Sequence, residues 1–351
     1  MISKNELERI NDLIATHRRF VLTTHINPDG DAIGSEIAMA NYLRHLGKTV
    51  LIINNSPTPN NYQFLDEKED IIVYEEDRHY QLVASADLYL ILDISDWDRL
   101  RNIGKIIKNS SVPKICIDHH HINYQFVDVD VIYEAASSTG ELIFEFLSKV
   151  KHPIDEITAR SLYACILTDT GSFRFSNTTA RTHVMASKLL DAGVNAREIY
   201  NLVYEQNSRG KMLLMGEALR NLHYECDGRL AWFILTQEMF QKCQTTHWDT
   251  EGFAEIPRSI DGVEVSLMFT ELDATKVKVS LRSKGNIVIH QIAEKLGGGG
   301  HHYAAGALVN NNLESTIPIV LSEIKNLIIA HEENANEQHA LPVSRKTDLR
   351  I

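Results

Sequence analysis

Short apolar runs recur through the first half of the chain, and several of them end in polar residues. Positions 20–24 (FVLTT) are rich in β-formers. Positions 49–53 and 114–117 are similar, and 88–92 is apolar or aromatic throughout. Continuous apolar runs of this length suit strands covered on both faces, as in a parallel sheet. Between them lie segments of helical period. Positions 31–46 predict a helix with Asp31 as its N-cap and Gly47 as its stop. The alternation predicts an open α/β sheet with right-handed crossovers.

From position 138 the pattern is helical. Ser138 and Glu141 have capping-box spacing, and further helices are predicted over 157–167, 180–190 and 196–204. Gly193 and the polar stretch 205–209 offer exits from a first domain, and 208–222 reads as a connecting helix. Strands are predicted at 229–235, 263–272 and 276–283, the last with alternation. A helix over 287–296, four glycines, a strand through Leu308 and Val309 and a helix over 313–330 complete the pattern. This divides the chain into an α/β domain at 1–192, a helical linker at 193–223 and a smaller α+β domain at 224–332. Residues 333–351 are polar and aperiodic and are expected to be poorly ordered.

Composition narrows the function. With 351 residues, 44% hydrophobic and 23% charged, the chain is ordinary globular protein of about two domains. Thirty-five Lys+Arg against forty-seven Asp+Glu give a net charge of -12, which argues against coating long duplex DNA. Carboxylate excess leaves metal ions as partners. The four cysteines form no C-x-x-C pair and fit free thiols in a reducing cytoplasm. The N-terminus carries charges throughout and no signal-peptide core, and no segment reads as a membrane span.

Three strand-like runs lead into metal-type ligands. Positions 20–24 lead into His25, Asn27, Pro28, Asp29, Gly30 and Asp31; 88–92 leads into Asp93; 114–117 leads into Asp118, His119 and His120. In open α/β sheets, ligands bind beyond the carboxyl ends of the strands, so these residues can converge on one rim. Asp169, after the apolar run 162–167, can join them. Carboxylates with imidazoles and no thiolate favour Mn²⁺, Mg²⁺ or Fe²⁺. So many carboxylates suit two ions sharing one bridge, the usual apparatus of phosphoryl hydrolysis. Each element alone has a plainer reading. Asp29-Gly30 suits a turn, Asp31 a helix cap, Asp93 a strand-end turn, Asp169 a helix end, His25 a buried structural histidine and His121 a solvated one. Their joint occurrence at several strand ends is what points to chemistry.

The set His25-Ile26-Asn27-Pro28-Asp29-Gly30-Asp31, Asp93, Asp118-His119-His120 and Asp169 resembles the four motifs of the DHH phosphoesterase superfamily. Gly297-Gly298-Gly299-Gly300-His301-His302-Tyr303-Ala304-Ala305-Gly306 resembles the signature of the associated DHHA1 domain. The resemblance spans nearly the whole chain in the expected order. It implies that His25, Asp29 and Asp93 hold one Mn²⁺, and that Asp31, Asp93, His119 and Asp169 hold the other. It also implies that His120 faces the scissile phosphate, that Asp118 orients a histidine, and that a water bridging the ions attacks phosphorus in line.

Two further segments suggest a substrate surface. The glycine run follows a helix and lacks the Lys-Ser/Thr pair, so it is not a P-loop. It reads either as a flexible linker or as backbone that approaches a nucleotide closely at Gly298, Gly299 and Gly300, with His301 nearby. On a strand, Lys276, Lys278, Arg282 and Lys284 share one face and Val277, Val279 and Leu281 the other. The basic face is either simply solvated or a phosphate contact, with Arg282 foremost.

The compact layout is similar to the nanoRNase type within the superfamily, which cleaves short oligoribonucleotides and 3′-phosphoadenosine 5′-phosphate (pAp). That resemblance implies hydrolysis in a cleft between the two domains, on RNAs of a few nucleotides. The segment 224–332 carries nine Lys+Arg against fourteen Asp+Glu, so only a short substrate gains from the basic face. Linear dinucleotides such as pApA and pGpG remain an alternative substrate. A non-catalytic nucleotide-binding module is the alternative of another class. A homodimer stays open.

Overall fold

The computed structural model describes residues 2–122 and 124–340. Two compact units make up the chain, residues 1–206 and 207–351.

The first unit is built on six parallel strands: β1 (Arg19–Thr23), β2 (Thr49–Asn54), β3 (Ile71–Val73), β4 (Leu88–Leu92), β5 (Lys114–Asp118) and β6 (Val129–Ile132). Their spatial order is β3-β2-β1-β4-β5-β6. The chain therefore winds outward in one direction from β1 and in the other from β4, which puts the topological switch point between these two strands. Alternate side chains explain why the runs are continuously apolar. Leu88, Leu90 and Leu92 enter one core cluster, and Tyr89 and Ile91 enter the cluster on the opposite face.

Among the described residues this unit has eight α-helices: α1 (Lys4–Thr16), α2 (Gly30–His45), α3 (Glu76–Ala84), α4 (Arg101–Asn109), α5 (Thr139–Lys149), α6 (Glu156–Asp169), α7 (Ala180–Asp191) and α8 (Ala196–Tyr204). Helix α2 gives up Ile33, Met39 and Leu43 to the larger cluster, where Leu162 and Ile166 of α6 meet them. Strands β3 and β6 were not foreseen. They are edge strands of three and four residues, and Asp130 breaks the apolar run of β6.

Two cap assignments change. The N-cap of α2 is Asp29, not Asp31: Asp29 is extended at φ -104°, ψ -165°, and its carboxylate accepts from the N–H of Asp31 and Ala32. That leaves the Asp31 side chain inside the first turn and available elsewhere. Ser138 does cap α5, accepting from Glu141 N. Glu141, however, turns to the N–H and hydroxyl of Ser137 instead of closing the box.

The second unit holds a mixed six-stranded sheet: β7 (His223–Glu225), β8 (Leu230–Leu235), β9 (Val265–Asp273), β10 (Lys276–Ser283), β11 (Gly299–His301) and β12 (Ala304–Val309). Its order is β11-β12-β10-β9-β8-β7, with β8 and β9 parallel and the other pairs antiparallel. Val277, Val279 and Leu281 face a core completed by the helices His290–Lys295 and Leu313–Ala340. The helix Arg209–Arg220, expected within a linker, packs Leu214 and Ala218 into this unit's other core with Phe233 and Met268. The helix Leu313–Ala340 continues past Glu332, into the stretch expected to lack order; residues 341–351 of that stretch lie outside the described residues. Cys116, Cys165, Cys226 and Cys243 form no disulfides. No helix among the described residues is long and apolar enough to cross a membrane.

Candidate metal centre

The C-terminal ends of β1, β4 and β5 adjoin at the switch point, and each delivers polar side chains to one buried cluster. His25 follows β1. Its Nδ1 lies 2.8 Å from the carbonyl of Ile26, which turns Nε2 to within 3.4 Å of Asp93 Oδ2. Burial pulls the His25 pKa below its usual value. Asp29 belongs to the same cluster. Burial raises its carboxyl, but His25 and the capped N–H groups outweigh that and hold it low.

Asp31 is 1% exposed, yet its carboxylate is well bonded. It accepts from Thr139 N at 2.7 Å and Gly140 N at 2.9 Å, the first N–H groups of α5. A helix N-terminus is where an anion is best tolerated. The approach needs glycine at 140, since a Cβ there would meet Cys165 Cβ at 2.3 Å. Asp93 follows β4 in a left-handed conformation, φ 58°, which swings its carboxylate over the strand ends. Its Oδ1 accepts from the Thr139 hydroxyl at 2.9 Å. Burial, then Asp31, Asp29, Asp118 and Asp169, push the Asp93 carboxyl well above its usual pKa.

Strand β5 ends in Asp118, from which His119 and His120 diverge. His119 Nε2 lies 3.2 Å from Asp169 Oδ2, 3.7 Å from Asp93 Oδ1 and 3.8 Å from Asp31 Oδ2. Burial lowers the His119 pKa, but Asp169, Asp31 and Asp118 outweigh it and raise it overall. Asp118 is fully buried and grips His120, whose backbone N donates to Oδ1 at 3.1 Å and whose Nδ1 lies 2.7 Å away. Burial raises Asp118, but hydrogen bonding and charge from His120 and the other partners hold it well below the carboxylate range. Asp169, at the end of α6, is pushed up to about 8, first by burial.

Three ligand sets arise from these positions: His25 with Asp29 and Asp93, Asp31 with His119 and Asp169, and Asp93 with His119 and His120. Within each set the ligand atoms lie within 4.8 Å of one another, and Asp93 belongs to two of them. A divalent cation fits this chemistry. The donors are oxygen and nitrogen only, the carboxylates crowd one another away from water, and Asp169 Oδ2 is buried without a hydrogen bond.

All six predicted ligands, with His120 and Asp118, thus come together. The other predicted residues lie in the second unit. Arg282 is half-buried and its Nε pairs with Glu255, which also takes Arg258 at 2.6 Å. Gly299 and His301 are exposed on the edge strand β11, so the second half of the glycine run is sheet and not a flexible linker.

Sequence reasoning missed three supporting groups. Thr139 holds Asp93. Arg99 places its charge near His25 and Asp29, and its carbonyl accepts from Ile26 N at 3.0 Å. Glu36, fully buried in α2, accepts from Asn54 Nδ2 at 2.7 Å, and Asn54 in turn accepts from Thr24 N beside His25.

Buried oxygen and nitrogen ligands on the rim of a parallel sheet form a candidate site for divalent cations, and with the family matches that follow they make the chain a metal-dependent phosphoesterase. The chain belongs to the DHH family: the DHH family N-terminal domain matches residues 19–167 and the DHHA1 domain matches residues 238–330. It is 29% identical over 305 residues to the bifunctional oligoribonuclease and PAP phosphatase NrnA of Thermus thermophilus, covering 87% of this chain and 88% of that one. It is equally 29% identical over 322 residues to the probable bifunctional oligoribonuclease and PAP phosphatase NrnA of Streptococcus mutans, covering 90% and 96%. Among solved structures, an exopolyphosphatase-related protein from Bacteroides fragilis superposes with a TM-score of 0.90 at 28% identity, covering 95% of this chain and 99% of that one.

Proposed function

We propose that this phosphoesterase hydrolyses short oligoribonucleotides to mononucleotides and pAp to AMP, with two Mn²⁺ ions at the centre described above. The observation that carries the two-ion reading is a pair of ligand sets that share no residue, His25 with Asp29 and Asp93 and Asp31 with His119 and Asp169, with Asp93 only 3.7 Å from His119 between them. His25, Asp29 and Asp93 would hold one ion; Asp31, Asp93, His119 and Asp169 would hold the other. Bound there, divalent ions supply Lewis acidity to the phosphate and to the attacking water.

The remaining roles fall to the chain's own groups. Thr139 and the N-terminus of α5 fix Asp93 and Asp31, so their geometry is set before substrate arrives. Asp118 accepts from Nδ1 of His120 and fixes the ring, leaving Nε2 to face the substrate. Arg99 adds a fixed positive charge at the same rim. In the second unit, Arg282, the backbone of Gly298, Gly299 and Gly300, and His301 would grip the nucleotide. A substrate phosphate there competes with Glu255 for Arg282.

The names of both NrnA relatives support this substrate class. The test is a hydrolysis panel with Mn²⁺: labelled RNAs of graded length at fixed salt, pAp, pApA, pGpG and pyrophosphate. RNAs of about two to five nucleotides should be cleaved fastest, because a longer strand leaves the single basic face for an acidic surface. A 20-mer degraded as efficiently as a trimer would overturn the short-substrate reading, and turnover confined to pGpG would move the assignment to dinucleotide signalling.

A further inference from the structure

Trp248 is the most exposed large hydrophobic side chain among the described residues, at 65%. Large rings are mostly buried, so such exposure costs stability unless the ring is used. The segment that carries it is held firmly. Thr246 and Asp249 close a capping box around a short 3₁₀ turn, His247–Thr250, and Thr246 Oγ1 accepts from Trp248 N at 3.3 Å. Thr250 is buried and anchors the far end of the turn. The indole rests against the His247 ring, with centroids 4.5 Å apart and planes tilted by 38°.

The turn that carries this aromatic pair leads within a few residues to Glu255, whose carboxylate pairs with Arg282 on the basic row of β10. Burial and the neighbouring Lys278 ammonium both lower the His247 pKa, and Lys278 in turn feels Arg282. A held, solvent-facing indole beside a row of cations is how single-stranded nucleic acids are gripped without sequence readout: the base stacks and the cations take phosphate.

We propose that Trp248 is a stacking platform for an unpaired nucleobase of the substrate, set beside the Lys278 and Arg282 face. This rests on the nucleotide-hydrolase reading above and adds the element that recognises the base.

The experiment uses the full Mn²⁺-loaded chain with Trp248→Ala and Trp248→Phe. The substrates are pApA and an analogue of pApA with both bases replaced by hydrogen. Trp248→Ala should raise KM for pApA about tenfold while changing kcat by less than about twofold. KM for the base-free analogue should not move, and Trp248→Phe should restore most of the loss. Binding of pApA should also quench the intrinsic fluorescence of the wild type but not of Trp248→Phe, since Trp97 and Trp232 pack against Phe126 and His223. An unchanged KM in Trp248→Ala, an equal loss on the base-free analogue, or a changed oligomeric mass with no change in KM would each overturn the platform. If the wild type binds pApA without cleaving it, the hydrolase reading falls, and the Trp248-dependent quench still decides the platform.

Discussion

Asp31, Asp93 and Asp118 are each at most 2% exposed, whereas Lys276, Lys278 and Lys284 stand in solvent. The first unit crowds like charges out of water. The second spreads cations over a strand face and pairs the least exposed of them, Arg282, with Glu255. Crowded buried carboxylates are costly unless a cation joins them, so in the first unit burial itself argues for a ligand. In the second unit the protein already satisfies its key cation. Charge there does not by itself demand a ligand, so shape and exposed aromatic surface have to speak beside it.

The sharpest way to break this comparison is to remove charge from the buried side. Asp93→Asn keeps an oxygen for Thr139 and a residue that tolerates φ 58°. It should lower kcat by at least about a thousandfold, because Lewis-acid assistance is worth several kcal/mol. Without metal, the same variant should melt higher than wild type, since it removes one of several repelling carboxylates. Mn²⁺ should raise the melting temperature of wild type more than that of the variant. Near-normal turnover, or an Asp93→Asn protein less stable than wild type without metal, would remove the argument from burial to ligand.

A second test uses a buried carboxyl that serves no ion. Burial pushes Glu36 up to about 8, with Asn54 opposing and Asp66 adding to it. Its folded pKa thus lies above its unfolded value of 4.5. The stability it contributes is full below that unfolded value and is lost as pH rises towards about 8. Glu36→Gln keeps an acceptor for Asn54 and cannot ionise. The stability difference between variant and wild type should therefore grow in the variant's favour from pH 5 to pH 8, by on the order of a few kcal/mol. Denaturant melts across that range measure it, and a pH-independent difference would mean that Glu36 is reached by water or paired when folded.

How legible each unit was in the sequence follows from the same contrast. An apolar run followed at once by Asp or His is a local pattern, so β1, β4 and β5 and the cluster residues that follow them could be read directly. Thr139 escaped because its role depends on distant segments: it bonds Asp93 across 46 positions and donates its N–H to Asp31 across 108. Glu36 escaped because a lone acid in a helix reads as surface. Strands β3 and β6 escaped because edge strands of three and four residues carry too little apolar periodicity. On β10 the parity of Lys278 and Arg282 was readable, but Glu255, 27 positions away, was not.

Arg282→Ala is the third test, now on the exposed side. A charge-assisted phosphate contact is worth about 1.5–3 kcal/mol, so KM for pApA should rise about tenfold to a hundredfold. Metal affinity should stay as in wild type, and a simple chromogenic phosphodiester should be much less affected. Equal losses on both substrates would make Arg282 a structural partner of Glu255 and no more.

The smallest effect on stability is expected at Gly299. The other three glycines of the run have local reasons to lack a side chain. Gly297 has φ 78°, Gly300 has φ 138° with Ala304 O at 2.6 Å from an added Cβ, and at Gly298 that Cβ would meet Gly306 O at 2.1 Å. Gly298→Ala should therefore cost about 1–3 kcal/mol of stability through overpacking against β12. An added Cβ at Gly299 meets nothing within 4 Å, and its strand lies at the edge of the sheet. Gly299→Ala should then change stability by less than about 0.5 kcal/mol, as an exposed substitution does. If a nucleotide lies against this strand, the same methyl group holds its phosphate off the backbone. KM for pApA should rise about threefold to tenfold, with kcat on the chromogenic diester unchanged. The two variants divide the glycine run by physics, since one loses stability and the other loses affinity. A Gly299→Ala protein normal in both measurements would leave β11 a structural edge strand and shift the whole burden of recognition to Arg282 and Trp248.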